Sequence, residues 1–333
     1  MHKDGRLARG RHIDSTFSAA KGLANPHLQT MLPILTRWKR NVPATWEVFD
    51  LPDGDFVELA WSGPEDGPIA VVLHGLAGSW RAGVILGLAR SLGLAGWRVC
   101  RFNFRGCGRG PNRMPTGYHS GMTSDPLLVF QDLRRRYPGR TIVGVGISLG
   151  GNVVLRMLGE EGEEAPLDAA VAISAPMKLG VCAEQMNVGL SKVYQTYLLR
   201  RLRPLIWSRR RILAPHVDVE GAMWATTFRA FDDLLTAPLH GYTDADDYYA
   251  RASSFPILPN IRRPTLILHA HDDPFMRPEV IPTLDEISAS TELEITAHGG
   301  HVGFMQHGRE RFWLNLRVPE WLSRFASAGD MRQ

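Results

Sequence analysis

From Ile69 onward the chain alternates short, nearly uninterrupted apolar runs with longer segments whose apolar residues recur every three or four positions. The runs are IAVVL (69–73), RVCRFNF (98–104), TIVGVGI (141–147), AAVAIS (169–174), TLILH (265–269) and LEIT (293–296). Runs of this kind suit strands covered on both faces, whereas a strand with one wet face would alternate apolar with polar residues. The intervening stretches 81–95, 126–136, 149–158 and 312–325 have helical spacing. Strand and helix in turn predict a mostly parallel central sheet with helices on both faces. Ahead of this pattern, WEVFD and FVELAWS flank LPDGD, whose turn-forming residues predict a β-hairpin.

One gap breaks the rhythm. Between Pro176 and Pro264 no buried-strand run occurs; the segment holds helical stretches, an arginine cluster and the run HGYTDADDYYARAS. The organisation expected is an irregular leader over residues 1–45, a first core part over 46–176, a mostly helical cap over 177–260, and a second core part over 261–333.

The most informative stretch is Gly146-Ile147-Ser148-Leu149-Gly150-Gly151. It matches G-x-S-x-G, with a buried strand before it and a helical pattern after it, the context in which that motif makes a nucleophile elbow. Small residues two positions either side let the backbone pass closely, lifting the Ser148 hydroxyl clear of the sheet. A hydroxyl is a weak nucleophile near neutral pH, so it needs a base, and the base needs an orienting acid. Both types follow in the order the architecture requires, each in a loop after a late strand. TLILH leads into Ala270-His271-Asp272-Asp273-Pro274-Phe275, and LEIT into Ala297-His298-Gly299-Gly300-His301-Val302. Asp273 is favoured over Asp272 because it lies further past the strand, and His301 over His298 because glycines flank it; Asp272 stays open as the alternative acid. Backbone amides of Leu149, at the helix start, and of Leu76, in the loop Leu73-His74-Gly75-Leu76-Ala77-Gly78, are the expected oxyanion donors. The loop NFRGCG (103–108) is expected to line or buttress the site.

Composition narrows the alternatives. The 333 residues are 44% hydrophobic and 22% charged, enough to bury a core without disulfides. Cys100, Cys107 and Cys182 are odd in number and lack CxxC spacing, which suggests a reducing, cytoplasmic setting and no disulfide framework. No secretory signal pattern opens the chain, and no apolar stretch is long enough to span a bilayer. The histidines and aspartates near 269–273 and 298–301 show no HExxH pair, so neither a metal nor another cofactor is expected. Net charge is +4, and part of the basic excess is local, at Arg200, Arg201, Arg203, Arg209, Arg210 and Arg211. A solvated arginine face is the plain reading of that cluster; contact with lipid headgroups or an acidic substrate is the alternative. Nucleic acid is not expected, because no binding motif accompanies the charge.

NPHLQT (25–30), LHGLAGS, FNFRGCG, GISLGGN, FDDLLTAPLHGY, HDDPFM and GGHVGF together resemble the YheT-like branch of the α/β-hydrolases, over nearly the whole chain. The resemblance implies the α/β-hydrolase fold with a helical cap, a nucleophile at Ser148, an acid at Asp273 and a base at His301. It further implies hydrolysis of carboxylic esters, small-molecule or lipid-like, and some animal relatives act on phospholipids. The apolar cap suggests short- to medium-chain acyl groups. Acyl transfer by the same residues, or a fold kept only for binding, are the competing readings; an epoxide hydrolase or dehalogenase would need a carboxylate in place of Ser148.

Overall fold

The computed structural model describes residues 9–36 and 41–326. Among them nine strands form one sheet in the order β1-β9-β8-β7-β6-β4-β5-β3-β2. These are β1 (Arg11–Ile13), β2 (Thr45–Asp50), β3 (Phe56–Ser62), β4 (Ile69–Leu73), β5 (Arg98–Asn103), β6 (Ile142–Ile147), β7 (Ala169–Ile173), β8 (Thr265–Ala270) and β9 (Thr291–Thr296). Every pairing from β1 to β5 across the sheet is parallel; β3 runs antiparallel to both β5 and β2. The expected hairpin is the β2–β3 pair, closed where the Leu51 amide donates to the Asp55 carbonyl at 2.8 Å and Gly54 takes φ +84°.

The continuous apolar runs serve two cores at once. In β4, Ile69, Val71 and Leu73 point to one face, where α3 (Ser124–Arg136) and α4 (Leu149–Glu161) pack with Phe130, Val153 and Met157. Ala70 and Val72 point to the other, against Leu88 and Leu92 of α2 (Gly83–Leu94) and Leu314 and Val318 of α11 (Leu314–Leu322). A period of two with both faces covered leaves little place for a polar alternate, which is why β4, β6 and β7 read as solid apolar blocks.

Between β7 and β8 the chain is helical. It forms α5 (Leu179–Gln185), α6 (Ser191–Leu213), α7 (Val219–Trp224), α8 (Phe228–Phe231), α9 (Ala237–Leu239) and α10 (Ala245–Ala252), with a π-type turn at Asp232–Thr236. Leu199, Leu202, Ile206, Phe231 and Leu235 give this segment an apolar cluster of its own, joined to the main fold at Ala77. No helix of the described residues is long and apolar enough to cross a membrane.

The expectation of an irregular leader is corrected where the structure describes it; residues 1–8 and 37–40 lie outside the described residues. Residues 11–13 extend the sheet beside β9, and Pro26–Thr36 is a helix, α1. Asn25 caps that helix, its side-chain oxygen accepting the amides of His27 (2.9 Å) and Leu28 (3.2 Å), with Pro26 in the first turn where its missing donor costs nothing. Pro33 inside α1 masks the helical signal in the sequence.

The turn after β5 is braced by Arg105. Its guanidinium donates to both oxygens of Asp125 (2.6 and 2.7 Å), to Asp53 (2.5 Å) and to the Thr116 hydroxyl (2.9 Å). Asp125 is 1% exposed, so removing the arginine strands a buried carboxylate. Arg105→Leu is expected to lower the unfolding free energy by about 3–5 kcal/mol in urea titrations; a loss below about 1 kcal/mol would show that the brace is dispensable.

Candidate active site

Ser148 sits between the last residue of β6 and the first of α4 with φ +52° and ψ −119°, a conformation that costs a non-glycine residue about 1–3 kcal/mol. The neighbours explain how it is held. A Cβ on Gly146 would lie 2.6 Å from the Gly151 Cα, and one on Gly150 would lie 2.5 Å from the Leu73 carbonyl oxygen. Both glycines are therefore required by backbone crowding. The Ser148 amide donates to Ile173 of the adjacent strand at 2.8 Å, fixing the turn to the sheet.

Two loops from distant parts of the chain meet this serine. His301 Nε2 lies 3.0 Å from Ser148 Oγ, and His301 Nδ1 lies 2.7 Å from Asp273 Oδ2. The other Asp273 oxygen accepts the Phe275 amide at 2.9 Å. The Phe275 ring stacks on the imidazole with centroids 4.0 Å apart and planes 10° from parallel, so His301 is held on one face as well as at its edge. Asp272 and His298 form a separate pair at 3.3 Å, and the other Asp272 oxygen accepts the Gly300 amide at 2.9 Å. Asp272 thus shapes the histidine loop, while Asp273 touches the imidazole beside Ser148.

The amides expected to face an oxyanion are available. Leu149 is the first residue of α4, where no carbonyl of the helix itself can be reached. Among the described residues, neither its amide nor that of Leu76 has a protein acceptor. The Leu76 loop is set by His74: its Nδ1 donates to the Gly75 carbonyl (2.8 Å) and its Nε2 accepts the Phe104 amide (3.3 Å). That pattern needs a neutral ring, and burial pushes the His74 imidazole down to about 4. Next to it, Ala77 at φ +54° donates its amide to the Tyr118 hydroxyl at 2.8 Å.

Ser148, His301, Leu76 and Leu149 line a cavity of about 790 Å³. Side chains from the helical segment between β7 and β8, such as Leu202, Ile206, Phe231 and Leu235, make much of it apolar. The lining also includes the polar side chains His119, His240 and Asp232. The His119 and His240 rings lie 4.3 Å apart, and burial lowers the pKa of both, His240 to about 4. Asp232 opens the π-type turn and accepts the Thr236 hydroxyl (2.6 Å) and the Tyr249 hydroxyl (2.8 Å); burial pushes its carboxyl up to about 7. The three cysteines are unpaired and buried, and burial raises every thiol, Cys107 to about 12, so none is an ionised nucleophile near neutral pH. Among the described residues no group of three or more His, Cys, Asp or Glu side chains could hold a metal ion.

Sequence reasoning missed the supports of this arrangement. The Thr30 hydroxyl of α1 accepts the His301 amide at 3.0 Å. Gln29 is fully buried; its amide donates to the carbonyls of Leu23 (2.8 Å) and Met305 (3.0 Å), and its oxygen accepts the Met305 amide at 2.7 Å. Asn152 of GISLGGN likewise ties the carbonyls of Ser120 and Ala252 (both 2.9 Å) and the Ser254 amide (3.0 Å) to α4. NPHLQT carried the signal for the first group, as a polar pair inside an otherwise apolar stretch.

A family model described as alpha/beta hydrolase fold matches residues 68–308. The chain is 42% identical over 323 residues to the Escherichia coli (strain K12) protein named "Putative esterase YheT", covering 94% of each. It is 32% identical to a monoacylglycerol lipase of Saccharomyces cerevisiae over 78% of this chain and 59% of that lipase, and 29% identical to the mouse phospholipase ABHD3 over 84% and 70%. Among solved structures it is similar in fold to the Pyrococcus furiosus esterase Pf2001 (TM-score 0.56, 16% identity, 97% and 99% covered). A 2,6-dihydroxy-pseudo-oxynicotine hydrolase shares the fold at TM-score 0.58 and 17% identity, over 87% and 70%.

The buried imidazoles make stability pH-dependent. His74, His240 and His269 are held neutral with pKa values of about 4, against an ordinary value of 6.5. Between those values the unfolded chain binds more protons than the folded one, so stability is fully present above pH 6.5 and is lost as pH falls toward 4. The thermal midpoint is expected to drop by at least about 5 °C between pH 7 and pH 5 in scanning calorimetry, and an unchanged midpoint would contradict this account.

Proposed function

We propose that this chain, which belongs to the α/β-hydrolase fold family, cleaves carboxylic esters through an acyl-Ser148 intermediate. The observation that carries the reading is the unbroken hydrogen-bonded line from Ser148 Oγ through His301 to Asp273, at 3.0 and 2.7 Å, on the wall of an apolar cavity. His301 Nε2 takes the hydroxyl proton as Oγ attacks the ester carbonyl. Asp273 keeps the other ring nitrogen protonated and steadies the imidazolium that forms. The amides of Leu76 and Leu149 receive the oxyanion, and His301 returns its proton to the departing alcohol. Water activated by the same imidazole then releases the acid and restores the serine.

The relatives named as an esterase, a monoacylglycerol lipase and a phospholipase support ester chemistry and point toward lipid-like substrates. So does the cavity, whose volume suits a molecule of ordinary ligand size and whose aliphatic lining favours an acyl chain over a sugar or a charged group. We read residues 177–260 as a cap that supplies this acyl-binding wall. Three unpaired thiols fit a cytoplasmic setting.

With a nitrophenyl butyrate substrate, Ser148→Ala is expected to lose at least about 10³-fold in kcat, together with labelling by a fluorophosphonate probe. Near-normal turnover in that variant would end the proposal. Asp273→Asn should cost about 10³–10⁴ in kcat, and Asp272→Asn less than about tenfold. The reverse ranking would move the acid to Asp272. Product analysis with added alcohols separates hydrolysis from acyl transfer.

A further inference from the structure

α1, PHLQTMLPILT, contains no charged residue. Its inner side is taken up by Gln29, Thr30 and Pro33, which are buried. Its outer side leaves Leu28, Met31, Ile34 and Leu35 exposed, Leu35 at 76%. Single exposed leucines are ordinary, but four large apolar side chains on eleven residues form a patch. Met31, Ile34 and Leu35 also line the cavity that holds Ser148. A side chain that is both exposed and part of the cavity wall stands at its mouth. From α6, Val193 and Tyr197 meet the same two conditions, so the opening has an apolar rim built from two helices.

The outer face of α6 continues from that rim. Val193, Tyr197, Arg200, Pro204, Trp207 and Arg211 recur at alternating spacings of four and three, and all are exposed, which makes one stripe along a helix of about 35 Å. The helix carries seven basic residues and no acidic one. Among the described residues no carboxylate pairs with any of them, whereas Arg105, Arg134 and Arg317 elsewhere are each paired. The Arg210 guanidinium lies over the Trp207 ring at 4.1 Å. Exposed aromatics among unpaired arginines suit an interface that is anionic on its surface and apolar just beneath. The uncharged α1 rim would gain nothing from a phosphodiester polymer, and a second copy of the chain would bring like charge to this face.

We propose that the α1–α6 rim docks on a bilayer containing anionic lipid, with the cavity mouth opening onto the acyl layer so that substrate enters without crossing water. This deepens the ester-hydrolase reading by assigning the source of its substrate, yet it is tested without turnover. Ser148→Ala protein is sedimented with vesicles of phosphatidylcholine alone, or with about one-third phosphatidylglycerol, at low and high salt. Binding is expected to the anionic vesicles only, and to weaken as salt screens the arginines. Arg200→Glu with Arg211→Glu should lower the partition coefficient at least about tenfold, while the paired lysine substitutions keep it. Leu35→Glu should weaken binding through the apolar rim. Arg200 and Arg211 lie outside the cavity lining, so their charge reversal in an otherwise wild-type chain should leave hydrolysis of soluble nitrophenyl butyrate unchanged.

Equal binding to neutral vesicles, no binding to anionic ones, or binding undiminished by the charge reversal each overturns the proposal. So does concentration-dependent dimerisation abolished by the same variants, which would assign the rim to a second copy. Vesicle binding without esterase activity would sink the hydrolase reading alone; esterase activity without vesicle binding would sink only the docking surface.

Discussion

A serine at φ +52° between a strand and a helix is a backbone state that only its surroundings can impose. Here the imposition comes from crowding: Gly146 and Gly150 allow β6, α4 and the end of β4 to approach more closely than any side chain would permit. The same approach brings the start of α4 to the Leu76 loop, so one steric constraint orients the hydroxyl and sets Leu76 and Leu149 in the wall of the same cavity. The parallel sheet supplies the rest, because its strands all end at one edge and deliver the Asp273 and His301 loops there.

Polar satisfaction then divides the nearby titratable groups between two tasks. The pairs Asp273–His301 and Asp272–His298 arise from the same two loops, yet only the first reaches Ser148; the second closes the turn that presents it. His74 is similarly structural, with both ring nitrogens engaged by backbone, and its burial keeps it neutral. The cavity wall adds a parallel case in Asp232, a carboxyl whose burial likewise favours the uncharged form.

Much of this was legible in the sequence because the signals were local and redundant. Six largely apolar runs marked the strands, and the order of Ser148, Asp273 and His301 at three strand ends marked the candidate site that the fold brings together. The choice between Asp272 and Asp273 was less legible, since adjacent carboxylates differ only in the direction their side chains leave the turn. The role of α1 was hidden for a related reason. Pro33 disguises the helix, and a buried Gln29 that bonds three backbone groups 276 residues away or six residues away looks, in sequence, like a solvent-facing amide.

That helix changes when the site can exist. The amide of His301 is bound by Thr30, 271 positions earlier, so the imidazole loop lacks its backing until these two distant segments have met. Contacts of such separation carry a large chain-closure cost and form late. The strands from β4 to β8 and the turn at Ser148 can therefore assemble while the His301 loop is still unbacked, and that loop is fixed only when the segment around Thr30 packs against it.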